Sequence, residues 1–445
     1  MKRFRYIFFA VLLAMMWLGI NVYADEYDGL DFDYGSVLVQ LKPQITDAVS
    51  MCSDPFEELN ISDAKCIFGD DASSISLFSD KTEPIIYVLD LGNPSRENVI
   101  DAIEKLKAMP NIEYAEPNYN VYEFSEPNDT YYQNGKQAVL DLIGAKKLWD
   151  FDIDCSDVTV GVMDSGIQTN HEDLIDNIWV NTGEIADDGI DNDQNGFVDD
   201  VNGWNFFDNS NQIYTGKEDT HGTHAAGTIA ASRKGTGIAG IADNQYVKLM
   251  VLKALGTEFG VGEEEDVINA IRYAEANGAE ICNLSFGTTH YYPELEKVMR
   301  ESKMLFVVAA GNGDKDGNGI DIDANPDYPS CFGLDNVISV ANLIFDGNLE
   351  QTSNYGANNV DIAAPGTYIV STTADNSYGF MTGTSMAAPM VTGTAALIYS
   401  ARTDLSLQDI KTAILSTVHK LAPLKGKTAT GGMLDVSAAI KWTKN

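Results

Sequence analysis

Three short segments carry residue types that could generate and use a nucleophile. Val160-Gly161-Val162-Met163-Asp164-Ser165-Gly166 places a carboxylate directly after an apolar, strand-like run. Asp219-Thr220-His221-Gly222-Thr223-His224-Ala225-Ala226-Gly227 opens a helix of small residues, and Gly383-Thr384-Ser385-Met386-Ala387-Ala388-Pro389 opens another. A serine hydroxyl is a weak nucleophile until a base takes its proton, and an imidazole base works best when a third group fixes its tautomer. Ser385, His221 and Asp164 are the types required. The competing use of His221 and His224 is a metal pair, but His-x-x-His lacks the glutamate and the i, i+4 spacing of a zinc-protease helix. Gly383, Ala387 and Ala388 leave space around Ser385. Pro389 is expected in the first turn of its helix, where amides have no intrahelical partner.

Elements must hold these residues together. Val158 to Met163, Val247 to Lys253, Glu280 to Leu284, Met304 to Ala309 and Asn336 to Val340 are apolar runs of strand length. Helical stretches such as Glu263 to Asn277 lie between them. Alternation of this kind predicts an α/β fold, a doubly wound parallel sheet covered on both faces. Functional groups in such sheets collect at the carboxyl ends of the strands. Two further ends carry suitable residues: Gly311-Asn312-Gly313 after Met304 to Ala310, and Ser285-Phe286-Gly287 after Leu284.

Upstream lies a smaller pattern. Gly35 to Leu41 and Pro84 to Leu91 are strand-like, Ser95 is placed to cap a helix with Val99, Ile100, Ile103, Leu106 and Met109 at helical spacing, and Ile112 to Asn118 reads as a last strand. These make an α+β module. The polar stretch from Glu126 to Gln137 reads as a linker.

The three segments resemble the signatures of the subtilisin-like serine peptidases, or subtilases, in the chain order Asp, His, Ser. The resemblance runs from about Asp129 to Ala439. It implies a subtilisin-like catalytic domain over residues 125–445 in which Ser385 attacks the scissile carbonyl, His221 moves the proton, Asp164 orients the imidazole and Asn312 donates to the oxyanion. It implies that Ser285, Phe286 and Gly287 pair with substrate backbone, and that Gly311 and Tyr328 wall the specificity pocket. Phe286 stands where the family more often has a smaller aliphatic residue. The upstream module resembles the family's propeptide, a small α+β ferredoxin-like unit over residues 25–124 that assists folding, inhibits the enzyme and is removed by autocleavage. The expected cut region, Asn118 to Asn128, holds no Lys or Arg, which favours an aromatic or apolar residue before the cut, such as Tyr122 or Phe124. Asp327, just before Tyr328, is either a pocket-floor carboxylate favouring basic residues or a solvated loop acid.

Hard oxygen ligands are abundant. Counting Asp191 as the first position of a calcium-type loop puts Asp193, Asn195 and Asp199 at ligand positions, glycine at the sixth and the Phe197 carbonyl at the seventh, with Asp187 just upstream. Asn202 replaces the usual terminal glutamate. Asp173, in His171-Glu172-Asp173-Leu174, resembles a family residue for a structural calcium. A second acidic run spans Asp314 to Asp323. Among the five cysteines, Cys282 could pair with Cys331, leaving Cys155 over, and Cys52 with Cys66.

The formal net charge of −37 over 445 residues would repel nucleic-acid phosphates and anionic lipid, so neither is an expected partner. Lys2, Arg3 and Arg5, the apolar run from Tyr6 to Ile20 and Val22-Tyr23-Ala24 read as a signal peptide over residues 1–24. The run falls short of the ~20 residues that span a bilayer. Together with the resemblance, which implies a monomeric zymogen acting on proteins and peptides with its own propeptide as inhibitor, these features predict an exported chain with no membrane contact after signal cleavage.

Overall fold

A computed structural model describes residues 32–42, 59, 61–66, 85–119, 129–148, 155–242, 246–257 and 260–444. The expected signal peptide, Cys52, Tyr122 and Phe124 lie outside them. The chain divides into two compact units, Met1–Glu123 and Phe124–Asn445.

The first unit is a four-stranded antiparallel sheet of β1 (Phe32–Leu41), β2 (Ile61–Cys66), β3 (Ile85–Leu91) and β4 (Ile112–Tyr119), in the order β2-β3-β1-β4. Helix α1 (Arg96–Lys107) packs on it through Val99, Ala102, Ile103 and Leu106. Ser95 caps α1 by accepting from the Asn98 amide at 3.2 Å. Strand β2 is absent from the sequence reading because Ile-Ser-Asp-Ala-Lys-Cys carries almost no apolar alternation, and residues 62–65 are exposed.

The second unit is built on a nine-stranded sheet. Its main strands are β5 (Val158–Asp164), β6 (Gly203–Asn205), β7 (Val247–Lys253), β8 (Ile281–Leu284), β9 (Leu305–Ala309), β10 (Val337–Leu343) and β11 (Ile362–Pro365). A hairpin of β12 (Ile369–Thr373) and β13 (Ser377–Met381) stands apart, and β14 (His419–Lys420) and β15 (Gly432–Met433) close one edge. The sheet order is β14-β15-β11-β10-β9-β8-β5-β7-β6, parallel except at β14. The longer helices are α2 (Thr220–Ala230), α3 (Glu264–Ala276), α4 (Pro293–Glu301), α5 (Thr384–Ala401) and α6 (Leu407–Ser416).

Side chains alternate between the two faces of a strand, so a sheet buried on both sides needs apolar residues at every position. Val158, Val160 and Val162 of β5 and Leu249 and Val251 of β7 join α2 and α5 in one core. Met163, Met250 and Leu252 join α3 and α4 in the other. The two cores place the ends of β5, β8 and β9 and the starts of α2 and α5 along one edge.

Candidate active site

Asp164 ends β5 and is 1% exposed. Its Oδ1 lies 2.8 Å from Nδ1 of His221, the second residue of α2. A carboxylate cannot donate, so Nδ1 carries the proton and Nε2 is left as the basic nitrogen. The Ser165 amide also donates to Oδ1, at 2.7 Å. Burial, the largest influence on His221, lowers its pKa, but the charge and hydrogen bond of Asp164 outweigh it and the net shift is upward from 6.5. His224 points elsewhere: burial pushes it down to about 4, and its Nε2 lies 2.9 Å from the Ile369 carbonyl. The two histidines are therefore not a metal pair. Gly222, between them, passes so close to β5 that a Cβ there would fall 2.3 Å from the Gly166 carbonyl and 3.0 Å from Asp164 Cβ.

Ser385 is the second residue of α5 and is 8% exposed. Its hydroxyl donates to the Ser285 carbonyl at 3.0 Å, and the Ser285 hydroxyl returns a bond to the Ser385 carbonyl at 3.1 Å. The second bond has a cause in the sequence. Helix α5 starts at Thr384, so Pro389 sits in its second turn, not its first as expected. There it removes the amide that would have met the Ser385 carbonyl. Ser285 supplies the missing donor and thereby docks its own segment beside Ser385.

Asn312 follows β9 and is exposed. Its Oδ1 accepts from the Thr384 amide at 2.8 Å and the Thr384 hydroxyl at 3.0 Å. With the oxygen held this way, the amide group Nδ2–H₂ is left to donate next to Ser385. Of the side chains named from sequence, Asp164, His221, Ser285 and Phe286 line one cleft of ≈ 750 Å³ with Leu255 and Met381, and Ser385 adjoins it through its two bonds to Ser285. Phe286 is half-buried against the second core, and Tyr328 stacks at 5.1 Å on Phe332. Gly287 and Gly311 both lie against the carboxylate of Asp327.

One further pair underlies the site. Lys253, in register with Asp164 across β5 and β7, forms an ion pair with Asp219, the residue that precedes α2, and donates to the Ser165 carbonyl. Asp219 was visible in the sequence as part of the His221 segment, whereas a lysine ending an apolar strand gave no sign of its partner.

The acidic loop holds a carboxylate cluster that adds two residues to those named from the sequence. Oxygen atoms of Glu184, Asp193 and Asp200 lie within 4.8 Å of one another. Asp200 is fully buried, its Oδ2 accepting from the Tyr273 hydroxyl at 2.5 Å and its Oδ1 from Asn181 at 2.9 Å. Of the residues named from sequence, only Asp193 falls in this cluster. Asp191 accepts from the amides of Asn195 and Gly196, and Asp199 from those of Asp188 and Gly189. Asn195 donates to Asp200 at 2.9 Å, Phe197 packs edge-on against Tyr273, and Asp187 is exposed in a left-handed turn. Asp173 lies apart, fully buried and accepting from the Ile238 amide at 2.9 Å, with burial raising its pKa to about 6.

The expected Cys282–Cys331 disulfide does not form, and both are free thiols. Cys282 is buried among the residues of the second core, whereas Cys331 packs against a separate cluster around Ile322. Cys52 and the Cys66 side chain lie outside the described residues.

No helix among the described residues is long and apolar enough to cross a membrane. Over 297 residues the chain is 36% identical to the "Subtilisin-like protease 1" of Plasmodium falciparum (isolate 3D7), an alignment covering 63% of this chain and 42% of that protein. It therefore spans less than half of that relative's length. Over 351 residues it is 34% identical to the "Thermophilic serine proteinase" of Bacillus sp. (strain AK1), covering 77% and 75% of the two chains. With "Thermitase" of Thermoactinomyces vulgaris it shares 33% identity over 300 residues, 66% of this chain and 92% of that one. Residues 156–433 match the model of the subtilase family, and a match of that extent, on a parallel sheet carrying this Asp–His pair and serine, establishes that the chain belongs to the subtilases.

Proposed function

We propose that this chain is a secreted serine endopeptidase that hydrolyses peptide bonds in proteins. The observation that carries the reading is the 2.8 Å bond between Asp164 and His221 Nδ1, which leaves Nε2 basic on the same edge of the sheet as Ser385. For attack, the Ser385 hydroxyl leaves the Ser285 carbonyl and passes its proton to Nε2 as Oγ bonds to the substrate carbonyl carbon. The negative charge that develops on the carbonyl oxygen is met by Asn312 Nδ2 and the Ser385 amide. The imidazolium, steadied by Asp164, gives its proton to the leaving amine, and water repeats the cycle to free Ser385. Segment 285–287 pairs with the substrate backbone.

In the same reading, residues 1–24 are removed on export and the first unit is a propeptide that inhibits the enzyme until autocleavage near Asn118 to Asn128. Calcium is a structural ion. Glu184, Asp193 and Asp200 fit it, because three hard carboxylates crowded together repel one another without a cation. The active enzyme is a monomer.

The deciding experiment is an intact-mass time course of the purified precursor with calcium, wild type beside Ser385→Ala. Loss of the N-terminal unit from wild type alone supports the reading. If both proteins stay intact, and neither cuts a denatured protein substrate, the endopeptidase reading fails.

A further inference from the structure

The carboxylate of Asp327 lies between two glycines that flank the reacting centre. Gly287 is two residues beyond Ser285, whose carbonyl holds the Ser385 hydroxyl, and Gly311 directly precedes Asn312. A Cβ on Gly287 would fall 2.4 Å from Asp327 Oδ1, and one on Gly311 would fall 3.1 Å from Oδ2. Both walls are thus bare of side chains where the carboxylate faces them. Oδ1 is buried with no hydrogen-bond partner among the described residues. No lysine, arginine or histidine among them pairs with this carboxylate, and burial, eased only by a backbone bond from Thr288, pushes its pKa up to about 6. An unpaired buried carboxylate is costly unless a cation arrives to meet it.

The surrounding chain does not supply that cation. The wall from Asp314 to Asp327 carries Asp314, Asp316, Asp321 and Asp323 against the single Lys315, so the local field also favours an incoming positive charge. A metal ion would need several converging oxygens, whereas Asp327 stands alone.

We infer that Asp327 sets substrate choice, selecting peptides with Lys or Arg on the acyl side of the bond that is cut. The inference rests on the endopeptidase reading above and deepens it. The substrate's side chain passes between Gly287 and Gly311, and its ammonium or guanidinium becomes the missing partner of the carboxylate. The expected autocleavage region holds no Lys or Arg, which is compatible because a tethered segment reaches the site at high effective concentration and needs no matched side chain.

The test uses the processed enzyme and a panel of otherwise identical peptides carrying Lys, Arg, Phe, Leu or Glu before the scissile bond. Lys and Arg peptides should exceed the Phe and Leu peptides in kcat/KM. Asp327→Asn should lower the basic peptides by about 30-fold or more and leave Phe and Leu within about threefold, a selective loss that a merely structural role would not give. Asp327→Glu should keep the basic preference. The wild-type panel decides even if a variant fails to fold. Apolar peptides cut as fast as basic ones would overturn the inference while leaving the endopeptidase intact, and an equal loss on every peptide in Asp327→Asn would overturn it too. No cleavage of any peptide would sink both readings.

Discussion

Lys253 and Asp219 form an ion pair of 2.5 Å in which the two side chains are 1% and 0% exposed. Lys253 ends the strand beside Asp164, and Asp219 stands at the entrance to the helix bearing His221. One buried cation therefore ties the segments bearing Asp164 and His221 together. Removing one partner of such a pair typically costs roughly 3–5 kcal/mol, because the other charge is left stranded. Lys253→Met, made in Ser385→Ala to prevent autolysis, should lose that much in urea unfolding, and adding Asp219→Asn should restore part of it. A loss below about 1 kcal/mol would mean that water reaches the pair.

The exchange of bonds between Ser285 and Ser385 makes a second prediction. Ser285→Ala strands the Ser385 carbonyl that Pro389 has already deprived of its helical donor, at a cost of about 1–3 kcal/mol. In Pro389→Ala the residue 389 amide can reach that carbonyl, so Ser285→Ala should then cost much less. Equal costs in both backgrounds would refute the link.

The raised pKa of His221 fixes the acid limb of activity. Catalysis needs neutral imidazole, so kcat/KM should fall as pH drops through a midpoint above 6.5. The linkage to stability has the opposite sign. A histidine whose folded pKa is raised contributes stability that is fully present below 6.5 and lost as pH rises through the folded value. Asp164→Asn removes the charge that raises the pKa, so a pH–rate profile should show the midpoint moving down along with a large loss of rate.

Asn312→Ala should lower kcat with little change in KM, since the donor acts on charge that exists only in the transition state. In subtilisin itself, loss of this donor costs about 10²–10³ in kcat. Near-wild-type turnover would exclude the assigned role.

Calcium should raise the melting temperature and a chelator should lower it. An ion at 100 times its dissociation constant adds about 2.7 kcal/mol. Asp193→Asn and Asp200→Asn should abolish the calcium-dependent part, whereas Asp187→Asn, on an exposed turn, should keep it. A melting temperature indifferent to calcium in wild type would remove the ion from the account.

The framework that carries the candidate site was legible because its residues follow apolar strands or open helices, where local pattern and chemistry coincide: β5 with Asp164, β9 with Asn312, α2 with His221. The ion cluster was legible only in part: Asp193 was named from the sequence, whereas Glu184 and Asp200 reach it only because the loop folds back on itself. Strand β2 escaped because it lies at a sheet edge with polar side chains. Pro389 was misplaced by one helical turn, and only the structure reveals the hydroxyl that compensates for it.

The catalytic groups enter the chain in the order Asp164, His221, Asn312, Ser385, and the sheet that gathers them is parallel, so each neighbouring strand must wait for a crossover. In the proposed reading, synthesis delivers the orienting acid, the base and the oxyanion donor before the nucleophile, so a chain that has not yet reached α5 would lack Ser385 and could not cut its neighbours. The order of the sequence would then work as a clock that arms the enzyme last.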